Sequence, residues 1–201
     1  SDVCARLTLL GRRGVPALQG LEKVEQQVVD TAADDFEDVA RKAAAGHDAG
    51  ICCLGIGHGT LFMDAAAMAA VEVTLAGRFA RGCRAAGIET FLLLTAFGVD
   101  ERDVHSKIKA FASMGGKHRA VLDAGFPHLA VFRPGVIVGN AHTPPWMSFV
   151  TRIIPPSSGL SNIHQDEVAR AFVAHLEKYA TRPAESCVVY GNREMRNLIR
   201  E

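Results

Sequence analysis

Short runs built only of apolar residues recur along the chain and alternate with helical patterns. The clearest are ICCL at 51–54, FLLL at 91–94 and LAVF at 129–132. A strand that is apolar on both faces must be covered by helices on both sides, as happens in parallel sheets. The sequence therefore predicts an α/β fold with a doubly wound, mostly parallel sheet.

The same periodicity predicts the individual elements. We expect strands at 7–10, 25–29, 49–54, 89–94, 128–132 and 187–190, and helices at 34–45, 65–86, 103–124 and 165–179. Asp34 or Asp35 and Asp64 stand where helix caps belong, and Gly87 follows the second helix as a stop. With 201 residues, the chain is expected to form a single domain over 1–201.

Composition limits the classes of partner. The chain has 22 basic and 22 acidic residues, so no general electrostatic field steers it toward nucleic acid or an anionic membrane. No stretch is apolar for long enough to span a bilayer. Five cysteines without C-x-x-C spacing predict neither a disulfide framework nor a metal site, but buried thiols in a reducing intracellular compartment. The absence of an initiating Met is compatible with a removed presequence, which leaves the mitochondrial matrix and the cytoplasm as alternatives.

One segment, 140–164, is irregular. It contains four of the eight prolines and the single tryptophan. Loops of this length in compact domains are usually lids or interaction surfaces, and both interpretations stay open here. The aromatic and aliphatic side chains that would form a protein-docking surface are Trp146, Met147, Phe149, Ile153 and Ile154.

Two polar sites follow the first two predicted strands. Arg12 and Arg13 lie between glycines directly after the first, where guanidinium groups could bind the extra phosphate of NADP by bidentate hydrogen bonds. The alternative is a solvated surface turn. Asp30 ends the next strand, where its carboxylate could contact an adenine amino group or cap the following loop.

Two further sites follow later strands. CCLGIGHG at 52–59 places Gly55, Gly57 and His58 where a ligand could approach the backbone closely, although the spacing is not G-x-G-x-x-G. Arg133, Pro134 and Gly135 follow another strand, at the edge where open α/β sheets bind ligands. A plain loop histidine and a simple strand exit are the respective alternatives.

Taken in order, these motifs resemble a known family. LTLLGRRG, QQVVD, HDAGICCLGIGHG, FLLLTAFGVD and LAVFRPGVIVG follow the order and spacing of the atypical short-chain dehydrogenase/reductases. The chain looks most like their Tat-interacting oxidoreductase-like branch, which binds NADPH. NIHQDEVARA at 162–171 is similar to the segment that opens a late helix in that superfamily, so the resemblance runs from residue 6 to about residue 175.

The resemblance implies roles for the candidate residues. Arg12 and Arg13 would hold the 2′-phosphate of NADP(H), and Asp30 would lie near the adenine. Leu54, Gly55 and Gly57 would pass under the adenosine ribose and the pyrophosphate. The residues that would border the nicotinamide are Arg133, Pro134, Gly135 and Val136.

The chain departs from the family at its start. Family members begin with a strand and a glycine-rich phosphate loop, whereas this sequence opens at the family's second strand. The missing strand would lie in the middle of the sheet, between the strands at 7–10 and 49–54. We therefore expect either an upstream segment or another polypeptide to fill this position, and NADP(H) to bind only with the phosphate loop present.

A second departure affects the Tyr-x-x-x-Lys pair, in which lysine lowers the tyrosine pKa for proton transfer. The helix at 103–124 has no tyrosine. Aligning on the following glycine puts Ala110 and Met114 at the two positions, and without a gap they are Lys107 and Phe111. Thr95 could supply the family's Ser/Thr hydroxyl, and His105-x-x-x-Lys109 is a conceivable substitute acid.

These departures favour a catalytically degenerate, NADP-binding-type homologue that acts as a binding or accessory subunit of a larger assembly. Two alternatives stay open. One is an active NADPH-dependent oxidoreductase that uses Thr95 and His105. The other is a protein-interaction module that docks a partner through the surface around Trp146, Met147 and Phe149.

Overall fold

The structure is a computed structural model that describes residues 4–55, 64–105, 108–140, 143, 154–155, 158–179 and 187–200. Its strands are β1 Leu7–Gly11, β2 Val24–Val28, β3 Ala49–Cys52, β4 Thr90–Leu94, β5 His128–Phe132, β6 Val136–Val138, β7 Asn162–His164 and β8 Cys187–Tyr190. Its helices are α1 Phe36–Ala44, α2 Ala65–Ala69, α3 Ala76–Ala85, α4 Lys109–Leu122, α5 Gln165–Tyr179 and α6 Asn192–Arg200.

The central sheet has four parallel strands in the order β3-β4-β5-β8. One face packs Phe91, Leu93 and Val131 together with buried residues of α3 such as Ala80 and Cys83. The other face packs Leu92, Ala130 and Phe132 together with residues of α5 and α6. Both faces are covered, which is why these strands are apolar throughout, and the predicted doubly wound α/β fold is confirmed.

The sheet is interrupted next to β3. β1 pairs with β2 in a separate parallel sheet, and within the described ranges no backbone pairing joins β1 to β3. Side chains connect the two sheets instead: Arg6 Nη2 lies 3.3 Å from His47 Nδ1, and Thr8 Oγ1 lies 3.1 Å from His47 Nε2. The interruption lies between the strands where the sequence predicts it.

Helix boundaries differ from the prediction where side chains bind the backbone. The helix expected at 103–124 is a single 3₁₀ turn at Asp103–His105 followed by α4. Asp103 Oδ2 accepts the Asp100 N–H at 2.7 Å and Asp100 Oδ1 accepts the Arg102 N–H at 2.8 Å, so the two carboxylates cap the backbone at the start of this short turn. The helix expected at 65–86 contains a π-helical segment at Ala70–Leu75.

Some local predictions are confirmed and others are wrong. Asp64 caps α2 by accepting the Ala67 N–H, and Gly87 has φ of 91° after α3. Asp35 makes no side-chain cap bond to α1. β6, β7 and α6 were not predicted: the two strands have three residues each, and α6 is a short helix that is mostly polar apart from Met195, Leu198 and Ile199.

The five cysteines are free thiols. Cys52 and Cys83 are buried as predicted, and burial raises the pKa of Cys83 to about 12. Cys53 and Cys187 are exposed, so the prediction of uniformly buried thiols is wrong for these two. Cys187 opens β8, whose outer edge has no neighbouring strand in the described part of the chain, and this edge position accounts for its exposure.

A substitution at Gly82 tests the close contact between α1 and α3. A Cβ at this position would lie 2.6 Å from the Glu37 carbonyl oxygen and 2.8 Å from Ala40 Cβ, both on α1. Gly82→Ala should lower the free energy of unfolding in urea by about 1–3 kcal/mol despite its better helix propensity. Gly77→Ala in the same helix is the control, since its nearest neighbours are Ala120 Cβ at 3.2 Å and the flexible end of Arg81. Equal effects of the two substitutions would contradict the close packing at Gly82.

Candidate functional site

The carboxyl ends of β4 and β5 bring two predicted site residues to one edge of the sheet. Pairing continues beyond the strands, because the Thr95 N–H donates to Phe132 O and the Phe97 N–H donates to Pro134 O, each at 2.8 Å. Thr95 is buried, and its Oγ1 lies 3.4 Å from Phe132 O. Thr95 and the segment that starts at Arg133 are therefore neighbours, as the resemblance requires.

The segment after β5 is held by α6. The Gly135 N–H donates to Asn192 Oδ1 at 3.0 Å, and Asn192 Nδ2 donates to Ser161 O at 2.6 Å. A Cβ at Gly135 would lie 2.6 Å from Gly159 O, so only glycine fits this close crossing. Val136, the last predicted nicotinamide neighbour, begins β6. This edge of the sheet is therefore a fixed backbone surface.

The Arg133 side chain contacts a buried histidine and a glutamate. Its Nη2 lies 3.4 Å from His118 Nδ1 on α4, and Glu101 Oε2 lies 3.5 Å from His118 Nδ1. Burial and the Arg133 charge lower the pKa of His118, while Glu101 and Asp100 oppose this shift. The imidazole is consequently kept neutral beside the guanidinium.

A buried ion pair lies against the carboxyl end of β3. Lys117 Nζ on α4 lies 2.8 Å from Glu72 Oε2 in the π-helical segment, and both side chains are at most 5% exposed. Lys117 Nζ also donates to Leu54 O at 2.8 Å. A Cβ at Gly55 would lie 3.7 Å from Glu72 Oε1. The pair therefore fixes the backbone where Leu54 and Gly55 would support a cofactor.

The turn after β1 presents two cations. Arg12 and Arg13 are exposed, and no side-chain hydrogen bond or ion pair from either is found within the described residues. Asp30 Oδ1 accepts the Ala32 N–H at 2.9 Å, so this carboxylate caps its own loop. Arg78 on α3 holds that loop by donating to Ala33 O at 2.8 Å.

The other predicted residues are not brought to this edge by the described structure. His105 is exposed in the 3₁₀ turn before α4. Tyr190 ends β8 beside Arg133, whose N–H donates to Tyr190 O at 2.8 Å, but its ring is buried with Phe132 against α5 and its OH lies 3.0 Å from His175 Nδ1. The Tyr179 ring packs against the same histidine. The predicted residues outside the described part are Lys107, Gly57, His58, Trp146, Met147, Phe149 and Ile153.

Sequence reasoning missed Glu72, Glu101, Lys117 and His118 as parts of this site. Glu72 is the single charge between residues 65 and 77, and such an isolated charge in an apolar helix indicates a buried partner. Lys117 and His118 fall within a run of five non-hydrophobic residues, GGKHR. Their partners can be identified only from the way α4 crosses the sheet.

The buried pair can be tested by stability. Lys117→Met leaves Glu72 buried without its partner and should cost about 3–5 kcal/mol in the free energy of unfolding. The double variant Lys117→Met/Glu72→Met should recover most of that loss, because no charge stays buried. Lys42→Met, which removes an exposed partner of Asp38, is the control and should cost less than about 1 kcal/mol in urea unfolding. A double variant no more stable than the single one would show that an unpaired Glu72 charge is not the source of the loss.

The neutral state of His118 predicts a pH dependence. Its folded pKa is below the unfolded value, so its contribution to stability is complete above about pH 6.5 and is lost as the pH falls toward the folded pKa. His118→Gln should therefore reduce the decline in unfolding free energy between pH 7 and 5. Part of the decline should stay, because burial lowers the pKa of His175 to about 4. The exposed His105→Gln should keep the full slope, and equal slopes in all three proteins would refute the assignment.

Comparison with known proteins identifies a relative in sequence. Protein HTATIP2 of Rattus norvegicus is 31% identical over 140 residues, which cover 68% of this chain. The chain spans about half of that relative, since the match covers 54% of its length. No protein-family model matches the sequence.

Solved structures share the fold. The dTDP-glucose 4,6-dehydratase DesIV from Streptomyces venezuelae, with NAD bound, superposes with a TM-score of 0.64 over 99% of this chain and 72% of its own, at 14% identity. A UDP-galactose 4-epimerase has a TM-score of 0.64 over 92% of this chain and 67% of its own, at 13% identity. Within the described residues, no helix has the length and apolarity needed to cross a bilayer.

The solved structures show that the chain has the fold of the short-chain dehydrogenase/reductases, and the curated relative shows that it is related in sequence to HTATIP2. The resemblance to this NAD(P)-binding oxidoreductase family is therefore confirmed.

Proposed function

We propose that the chain is a catalytically degenerate, NADP(H)-binding member of this family that serves as a binding or accessory subunit. The observation that carries the proposal is a contrast between two parts of the molecule. The turn that would bind the 2′-phosphate keeps two exposed arginines, whereas α4 has no tyrosine to transfer a proton. A nucleotide would then act as a structural ligand.

The candidate cofactor residues fit a nucleotide at several points. Arg12 and Arg13 offer guanidinium donors that no described residue occupies, and their planar geometry matches a phosphate. Gly55 is exposed at the carboxyl end of β3, where ligands bind in such sheets, whereas Gly135 after β5 is packed against Gly159 O. Bound NADPH would supply a hydride donor, and the chain's own residues would hold and orient the nucleotide.

The interrupted sheet bears on affinity. The glycine-rich loop of the family supplies most of the pyrophosphate contacts, and it would sit between β1 and β3. We propose that a further strand and its loop, from the same protein or from a partner subunit, complete the site. NADP(H) is the cofactor in that assembly, and the surface around Trp146, Met147 and Phe149 is the proposed subunit contact. A reducing compartment, the mitochondrial matrix or the cytoplasm, suits the free thiols.

An active oxidoreductase is the alternative function, and the position of Thr95 favours it. Thr95 lies at the carboxyl end of β4, beside the segment that would border the nicotinamide. Its hydroxyl could bind a substrate oxygen, and His105 would have to supply the proton. His105 is exposed in a separate turn before α4, and within the described part of the chain no hydrogen bond joins it to Thr95.

Nucleotide titration tests the proposed binding. The protein, with whatever subunits copurify from its source, should bind NADPH more tightly than NADH by isothermal titration calorimetry. Arg12→Ala/Arg13→Ala should weaken NADPH binding by about 10- to 100-fold and leave NADH unchanged, because only NADPH carries the 2′-phosphate. Arg170→Ala, an exposed arginine on α5, is the control and should change neither affinity. Equal affinities for the two nucleotides in the unaltered protein would refute the 2′-phosphate site.

Catalytic degeneracy has its own test. With NADPH bound, a panel of aldehydes and ketones should cause no oxidation of the nucleotide in a single-turnover absorbance measurement. Stoichiometric hydride transfer that Thr95→Ala and His105→Ala abolish would overturn the accessory role and establish the oxidoreductase.

A further inference from the structure

Gln26 binds the turn that carries the two arginines. It lies on β2 opposite Leu9 of β1. Its carboxamide uses both of its ends on one residue: Oε1 accepts the Val15 N–H at 2.6 Å, and Nε2 donates to Val15 O at 3.1 Å. A paired contact of this kind fixes the backbone of Val15 in both position and orientation.

The contact lies two residues after Arg13. Glycines flank the arginine pair at Gly11 and Gly14, and glycine allows more backbone conformations than any other residue. At one end the turn is fixed by the β1–β2 ladder, where the Val29 N–H donates to Gly11 O at 3.0 Å. At the other end, the side-chain hydrogen bonds found among the described residues come from the Gln26 carboxamide. Gln26 therefore limits the conformations that Arg12 and Arg13 can adopt.

The surroundings provide little other support. Gly14, Val15 and Gln26 line an open cleft of about 340 Å³ together with Pro16 and Gln19. The turn borders this cleft instead of packing against a core, so hydrophobic contacts restrain it weakly. Val15 itself is 45% exposed. This end of the turn is thus restrained by the Gln26 carboxamide and by one backbone bond, in which the Leu18 N–H donates to Val15 O at 3.0 Å.

We propose that Gln26 is a positioning residue that holds the Arg12–Arg13 turn in the conformation that binds a 2′-phosphate, and so determines a preference for NADP(H) over NAD(H). The inference rests on the proposed nucleotide-binding function. Its physical basis is preorganisation: a turn already ordered in the free protein loses less conformational entropy when phosphate binds. NADH carries a hydroxyl in place of the 2′-phosphate, so its affinity depends little on the order of this turn.

A matched pair of variants tests the proposal. Gln26→Met removes the hydrogen bonds at similar side-chain volume. Gln27→Met is the control, because Gln27 is the adjacent, equally half-buried residue on β2 and its amide contacts Glu25 Oε1 at 2.7 Å, not the turn. Calorimetric titration should show that Gln26→Met lowers the ratio of NADPH to NADH affinity by about tenfold, with NADH affinity unchanged. Gln27→Met should leave the ratio as it is.

Each other outcome has one meaning. An unaltered protein that does not discriminate NADPH from NADH contradicts the 2′-phosphate site itself. A protein that discriminates, with an unchanged ratio in Gln26→Met, overturns the role of Gln26 and leaves the proposed function standing. Equal loss of both affinities, together with a lowered thermal midpoint, shows a merely structural role and also overturns it.

Hydrogen exchange gives a readout that needs no variant. The Val15 N–H of the unaltered protein should exchange more slowly in saturating NADPH than in saturating NADH, since a bound 2′-phosphate restrains the turn further. The Gly87 N–H, which bonds Arg84 O at the end of α3, is the reference and should exchange equally in both. Identical Val15 exchange in the two nucleotides would overturn the proposal even if Gln26→Met did not fold.

Discussion

Burial of the central strands β4 and β5 on both faces is the constraint on which the rest of the structure depends. Phe91 and Leu93 face one layer of helices and Leu92 faces the other, so β4 has no surface left for polar side chains. Polar chemistry is consequently confined to the ends of the strands. This confinement places Thr95 and Arg133 side by side at one edge, although 37 residues separate Thr95 from its bonding partner Phe132.

Polar groups near that edge are arranged in pairs because the same burial makes single charges costly. Lys117 and Glu72 are almost completely enclosed, and each is tolerated because the other is present. Arg133, His118 and Glu101 form the corresponding arrangement at the end of β5, with a neutral imidazole between the two charges. α4 contributes Lys117 and His118 to the two groups, so one helix connects the ends of β3 and β5.

Sequence reasoning predicted the features that depend on local pattern. The predicted bounds of β5, β8 and α5 and the cap at Asp64 were correct. Apolar runs and side-chain caps depend only on residues that are close together in the sequence. The π-helical segment around Glu72 and the turn at Asp103 were not predicted. The π-helical segment contains Glu72, whose partner Lys117 lies far along the chain, and the turn begins at carboxylates of Asp100 and Asp103 that bind backbone N–H groups. Of the candidate site, sequence placed Thr95 and Arg133 together but missed the charges behind them.

The arrangement of α4 explains why loss of the Tyr-x-x-x-Lys pair is compatible with a stable domain. In either alignment, the family's two positions, Ala110 and Met114 or Lys107 and Phe111, precede Lys117 and His118 in the sequence. The side chains that tie α4 to the sheet are therefore separate from those that would transfer a proton. A substitution at the catalytic positions leaves the Lys117–Glu72 and His118–Arg133 contacts in place. The ends of β3 and β5 are held by these contacts, so their backbone can keep its position in a chain whose α4 has no tyrosine.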